Sequence, residues 1–155
     1  MLDILEKADN EKVVSIAWKD FYSVGNEELD HHHKTILSIT NDLYHALRND
    51  SERQVVQSIL DRLVEYADFH FTREEELMEE CRFPDLANHK VSHQTLAQKT
   101  NELRLHSRRV KGKDLLRFVK AWWVNHICRE DKQYSSYMDM GRLAGTDLKS
   151  FPSAE

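Results

Sequence analysis

Proline and glycine are scarce in this chain, with 2 and 4 among 155 residues. That poverty of turn formers excludes a meander of short strands, which would need a turn signal about every 8–12 residues. Cys81 and Cys128 are the only cysteines. They form no CxxC pair and no disulfide framework, so a reduced, cytoplasmic chain is the expectation. No apolar run approaches the roughly 20 residues that cross a bilayer, so no membrane span is expected. The start, MLDILEKADNEK, has no basic stretch followed by an apolar one, and no signal peptide is expected either. Basic charge is not in excess. The net charge of -5 argues against a nucleic-acid partner, and the cluster Arg104, Arg108, Arg109, Lys111 and Lys113 has no interleaved aromatics.

What the chain does have is helical periodicity, four times over. Leu29, His33, Ile36, Ile39, Leu43 and Leu47 advance in steps of three and four, keeping one face inward. Asn49, Asp50 and Ser51 break that run and offer a cap to the next. The second run is Val56, Leu60, Leu63, Ala67, His70, Glu74 and Leu77, stopped by Pro84. Leu86, His89, His93, Leu96, Thr100 and Leu103 form the third, fading into a basic loop with Gly112. Leu115, Val119, Trp122 and His126 form the fourth, expected to continue past Asp131 towards Tyr137. Four amphipathic helices with short links predict an all-α fold, an antiparallel up-down four-helix bundle. The expected organisation is an N-terminal arm over 1–28, the bundle over 29–138 and a polar tail over 139–155.

Each helix carries polar residues where leucines would be expected. A buried imidazole or carboxylate costs several kcal/mol unless it is paired or bound to a metal. A single inward histidine is usually a hydrogen-bonded core residue, but here all four helices supply one. His70–Glu74 and His89–His93 are i, i+4 pairs, stacked one turn apart on a helix face. In an antiparallel bundle His33, His70, Glu74, His89, His93 and His126 fall towards one end. Five imidazoles and one or two carboxylates are too many for tetrahedral zinc and suit two ions of borderline softness, iron first. Asp131, five residues after His126, does not fit α-helical spacing, and periodicity alone would leave it a surface carboxylate.

These residues resemble hemerythrin, and more closely the single-domain bacterial hemerythrins. The matching stretches are Asp30-His31-His32-His33-Lys34, His70 to Met78, His89-Lys90-Val91-Ser92-His93 and Trp122 to Ile127, closing at Asp131. With Trp18 and the stretch Tyr22 to Asn26, the resemblance spans about 18–137. It implies two irons, Fe2+ or Fe3+, held by His33, His70, Glu74, His89, His93, His126 and Asp131. His89, His93 and His126 would saturate one iron. His33 and His70 would bind the other and leave a position open. Glu74 and Asp131 would bridge, with an oxo or hydroxo group between the metals. The implied function is reversible binding of dioxygen, for storage, delivery or sensing, by a protein that is not an enzyme. Trp122, Trp123 and Ile127 match positions beside the oxygen pocket, although relatives usually carry Leu where Trp123 stands.

The remaining polar residues have plainer expectations. His31 and His32 point about 200° and 100° away from His33 around the helix and are expected to face solvent, as are His45 and His106. Glu75, Glu76, Glu79 and Glu80 read as a solvated face, a role for Glu75 in orienting an imidazole being the less favoured reading. Tyr134 and Tyr137 are expected only to finish the fourth helix. Two other functional classes keep the metals: an enzyme acting on peroxide or nitric oxide, and an iron donor for repair. The first needs a proton donor near the open iron, and no residue stands out as one. The second usually brings further domains or cysteines.

Overall fold

Asn26 starts the first helix, its side-chain oxygen accepting the Leu29 N–H at 3.1 Å. The computed structural model describes residues 15–138, in four helices: α1 (Glu27–Arg48), α2 (Arg53–Glu80), α3 (Leu86–His106) and α4 (Gly112–Asn125). Among the described residues no helix is long and apolar enough to cross a membrane. The first 14 residues of the expected arm, and all of the tail from 139 onward, lie outside the described residues.

The two sharp breaks share one device. Asp50 (φ 49°) and Arg82 (φ 57°) adopt left-handed backbone just past α1 and α2. The N–H groups that follow fold back onto the last turn, Ser51 to Ala46 O and Phe83 to Met78 O, both at 2.9 Å. Asn49, Asp50 and Ser51 therefore end α1 and do not cap α2, whose cap position is Glu52, without a side-chain cap bond. Gly112 opens α4 instead of sitting in the loop. A Cβ there would meet Leu47 Cδ2 at 2.9 Å, so glycine lets α4 start close against the end of α1.

Each helix packs on two neighbours, α1 on α2 and α4, α3 on α2 and α4, which closes an antiparallel four-helix bundle. The main core runs through Ile36, Ile39, Leu43, Leu60, Leu63, Phe71, Leu96, Leu115, Leu116, Val119 and Trp123. On α4 the spacing from Val119 predicts Trp122 on the inward stripe, and the structure corrects this by one residue. Trp123 takes the interior, while Trp122 is half-buried beside Phe118 with Lys99 over its ring. The described part of the arm is tied to α1: Asn41 pairs with the backbone N–H and carbonyl of Ile16, both at 2.7 Å. Tyr22 and the half-buried Trp18 lie against Leu37 and Ile127.

The fourth helix does not run on regularly. After Asn125 the backbone widens into a π-turn over His126–Glu130, then tightens into a 3₁₀ turn over Asp131–Gln133. That irregularity falls where the polar cluster lies.

Candidate metal centre

α1 and α3 begin at one end of the bundle, and α2 and α4 finish there. This carries His33, early in α1, to His70 and Glu74, late in α2. His89 and His93 arrive from the start of α3, and His126 and Asp131 from the π-turn. All seven side chains are buried, none more than 5 % exposed.

The ligand atoms form two overlapping sets, each with all atoms within 4.8 Å of one another. One set is His89, His93 and His126 with Glu74 and Asp131. The other is His33 and His70 with the same two carboxylates. Both carboxylates are turned so that each oxygen serves one set. Glu74 Oε2 lies 2.9 Å from His93 Nε2 and 3.5 Å from His89 Nε2, whereas Oε1 lies 3.7 Å from the Nε2 atoms of both His33 and His70. Asp131 Oδ1 lies 3.1 Å from His126 Nε2 and 3.3 Å from His89 Nε2, and Oδ2 lies 3.2 Å from His33 Nε2.

Asp131 reaches this place through the π-turn. Five residues at α-helical pitch would carry its side chain well off the face of His126, but in a π-turn residues five apart share a face. The Asp131 N–H accordingly donates to the His126 carbonyl.

The atoms that face the centre come close without forming hydrogen bonds. The Nε2 atoms of all five histidines, Glu74 Oε2 and both oxygens of Asp131 are buried without a hydrogen-bond partner among the described residues. Protein interiors rarely tolerate one such orphan, and eight converging on a common centre fit bound cations. Five imidazole nitrogens and two carboxylates are also the donor mixture of borderline metals such as iron. Without metal, the charges pull the histidines apart. Burial lowers His33, but Asp131 and Glu74 outweigh it and hold the ring at about 9. Burial also opposes the charged form of His89, and the same carboxylates raise it to about 10. Burial dominates at His70 and pushes it down to about 3.

Around this cluster stand Glu75, whose less favoured reading as the partner of an imidazole is the one the structure shows, and two residues given no such role from the sequence, Glu130 and Tyr134. Glu75 Oε1 lies 2.8 Å from His93 Nδ1, so one member of the acidic run turns inward and is not merely a solvated face. Glu130 Oε2 lies 3.0 Å from His126 Nδ1. Tyr134 is fully buried and its hydroxyl donates to Glu74 Oε1. Burial first, then the neighbouring carboxylates, keeps that phenol neutral well above its usual range. Its signal was present: Tyr134 follows Asp131 by three residues, on the same helical face. His32 corrects the expectation of solvent exposure. It is 6 % exposed, because the flank 100° from His33 faces α2, where Tyr66, Phe69 and His70 cover it. His31, His45 and His106 are exposed as expected.

The three residues expected beside an oxygen pocket are dispersed. Trp123 is buried and parallel to Phe71 at 5.6 Å, and Phe71 in turn stacks on His93 at 4.0 Å. Trp122 lies on the half-buried flank described above, and Ile127 is buried with Tyr22 and Leu37.

Comparison with known proteins agrees with the site. The hemerythrin HHE cation binding domain matches residues 24–137. A bacteriohemerythrin of Stenotrophomonas maltophilia is 33% identical over 124 residues, covering 77% of this chain and 79% of its own. A hemerythrin-like protein of Naegleria gruberi is 31% identical over 121 residues, covering 78% and 92%. The crystal structure of a wild-type hemerythrin superposes with a TM-score of 0.73 at 29% identity, over 81% of this chain and 98% of that one. A helical bundle that gathers five histidines and two shared carboxylates at one end, matched along nearly all of its described length, belongs to the hemerythrin family.

Proposed function

We propose that the chain binds dioxygen reversibly at a pair of irons held by His33, His70, Glu74, His89, His93, His126 and Asp131. The observation that carries this reading is the sharing of Glu74 and Asp131 between two ligand sets, one with three imidazoles and one with two. When bound, the two irons supply the electrons that dioxygen takes up and gives back. The chain's own residues do the rest. Glu74 and Asp131 span both metal positions, one oxygen each. His89, His93 and His126 would hold one iron and His33 and His70 the other, with one imidazole fewer, which is where a small molecule would find room to bind. Burial of every ligand keeps bulk water from the pair. Trp123 and Ile127, both buried next to the elements that carry the ligands, are the residues we assign to shaping the route to the open position, with Trp122 on the outer flank.

A role as an oxygen binder and not an enzyme is supported by the placement of Tyr134. Its buried hydroxyl reaches the cluster on the side of His33 and His70, but its proton is already engaged by Glu74 Oε1, so it is not a free acid. Enzymatic turnover of peroxide or nitric oxide is the second reading, which a freely positioned acid would favour. The reduced protein, with its iron counted, is cycled between nitrogen and air while its visible absorption is recorded. Two irons per chain and a band that comes with air and leaves with nitrogen support oxygen binding. Two irons that oxidise at once, with no persistent band, favour the enzyme. A chain that takes up no iron overturns both.

A further inference from the structure

The surroundings of the two ligand sets differ in kind. We propose that they make the three-histidine half the tight, first-filled metal position and the His33–His70 half the weak one, an inference that rests on the di-iron reading above.

An imidazole that binds metal through Nε2 carries its proton on Nδ1, and a carboxylate accepting that proton makes Nε2 a stronger donor to the metal. Two of the three imidazoles in the first half have such a carboxylate, Glu75 on His93 at 2.8 Å and Glu130 on His126 at 3.0 Å. Neither imidazole of the other half has one. His33 Nδ1 is buried with no partner among the described residues. His70 Nδ1 faces only another ring, His32 Nδ1, at 3.5 Å, the outer limit of a hydrogen bond.

The shared carboxylate leans the same way. Tyr134 donates to Glu74 Oε1, the oxygen turned towards His33 and His70. Glu74 Oε2, turned towards His89 and His93, has no hydrogen-bond partner. A hydrogen bond donated to a carboxylate oxygen withdraws charge from it, so Tyr134 weakens the metal donor on the two-histidine side and spares the other. Ligand number, the carboxylates behind the imidazoles and the phenol on the bridge all act in one direction. A chain given one equivalent of metal thus holds it between α3 and the π-turn, and the pair is completed only by the second equivalent.

The test is an anaerobic titration of the metal-free full chain with ferrous ion, followed by calorimetry. Two separate steps are expected. His126→Ala should abolish the tight step and His70→Ala the weak one. Glu75→Gln and Glu130→Gln should each weaken the tight step by about 10–100-fold and leave the weak step unchanged. Tyr134→Phe should strengthen the weak step by about fivefold, the size of one net hydrogen bond, and leave the tight step alone. Circular dichroism checks that each variant is folded. Two steps of equal affinity, or a tight step that survives His126→Ala, overturn the order of filling. A weak step that is unchanged or loosened in Tyr134→Phe overturns the role of the phenol. Failure of the unaltered chain to bind any ferrous ion overturns the di-iron reading itself, an outcome distinct from two equal steps.

Discussion

Asp131 lies five residues after His126, and yet its Oδ1 stands 3.1 Å from His126 Nε2. The π-turn over His126–Glu130 makes this possible, because it widens the helix by one residue at the point where these two side chains face the same centre. Inserting one alanine after the exposed Arg129 should carry Asp131 one residue further round the helix, off the shared face by about 100°. The expected outcome is a helical protein that holds fewer than two irons per chain. Metal analysis beside circular dichroism checks it, and full iron loading in the insertion variant would refute the role given to the spacing of the turn.

Trp123 is packed face to face with Phe71, which stacks on His93. Trp123→Leu should lower stability by about 1–3 kcal/mol through the cavity it leaves. The loss is tempered because the indole N–H has no hydrogen-bond partner among the described residues. If Trp123 shapes the oxygen route, the same variant should change both oxygen affinity and the autoxidation rate. Denaturant unfolding and an oxygen titration read the two effects separately, and an unchanged affinity and autoxidation rate would remove Trp123 from the pocket.

Metal should stabilise the fold strongly. The cluster brings two fully buried carboxylates and five imidazoles to face one another, an arrangement that is unfavourable without cations to share. Ions that bind the folded chain and not the unfolded one add stability that grows with the logarithm of metal concentration. Thermal melting with increasing ferrous ion under nitrogen should show a melting temperature that keeps rising beyond the first equivalent. A melt insensitive to metal would contradict the site.

Arg73 supplies a contrast. Its guanidinium pairs with both oxygens of Glu28, at 2.7 and 3.1 Å, and with Glu76 at 3.0 Å, joining α1 to α2 near the metal end. All three side chains are substantially solvated. Arg73→Ala should therefore cost no more than about 1 kcal/mol, less at high salt, and leave iron content intact. Chemical denaturation at two salt concentrations and metal analysis check this.

The four helices were legible because each buries one stripe, and a stripe repeats every three or four residues whatever it packs against. The inward histidines stood out for the same reason, as interruptions of an apolar pattern. His32 shows where this ends. Its angle from His33 was correctly placed at about 100°, but an angle on one helix does not say whether that flank meets water or a neighbour, and here α2 lies over it. Glu75 is the converse: an acidic run looks uniformly solvated until α3 brings His93 Nδ1 to its edge.

By itself, then, the sequence determined the elements, the main apolar stripe of each and the set of residue types gathered at one end, since these follow from helical periodicity and the order of residues along the chain. Only the tertiary structure decided the π-turn that aims Asp131, the pairing of Glu75 and Glu130 with particular histidines, and the hydrogen bond from Tyr134 to one oxygen of Glu74. The Glu75 and Tyr134 contacts join side chains from different helices, and the turn trades local helical regularity for a position that has value only once the other three helices are in place.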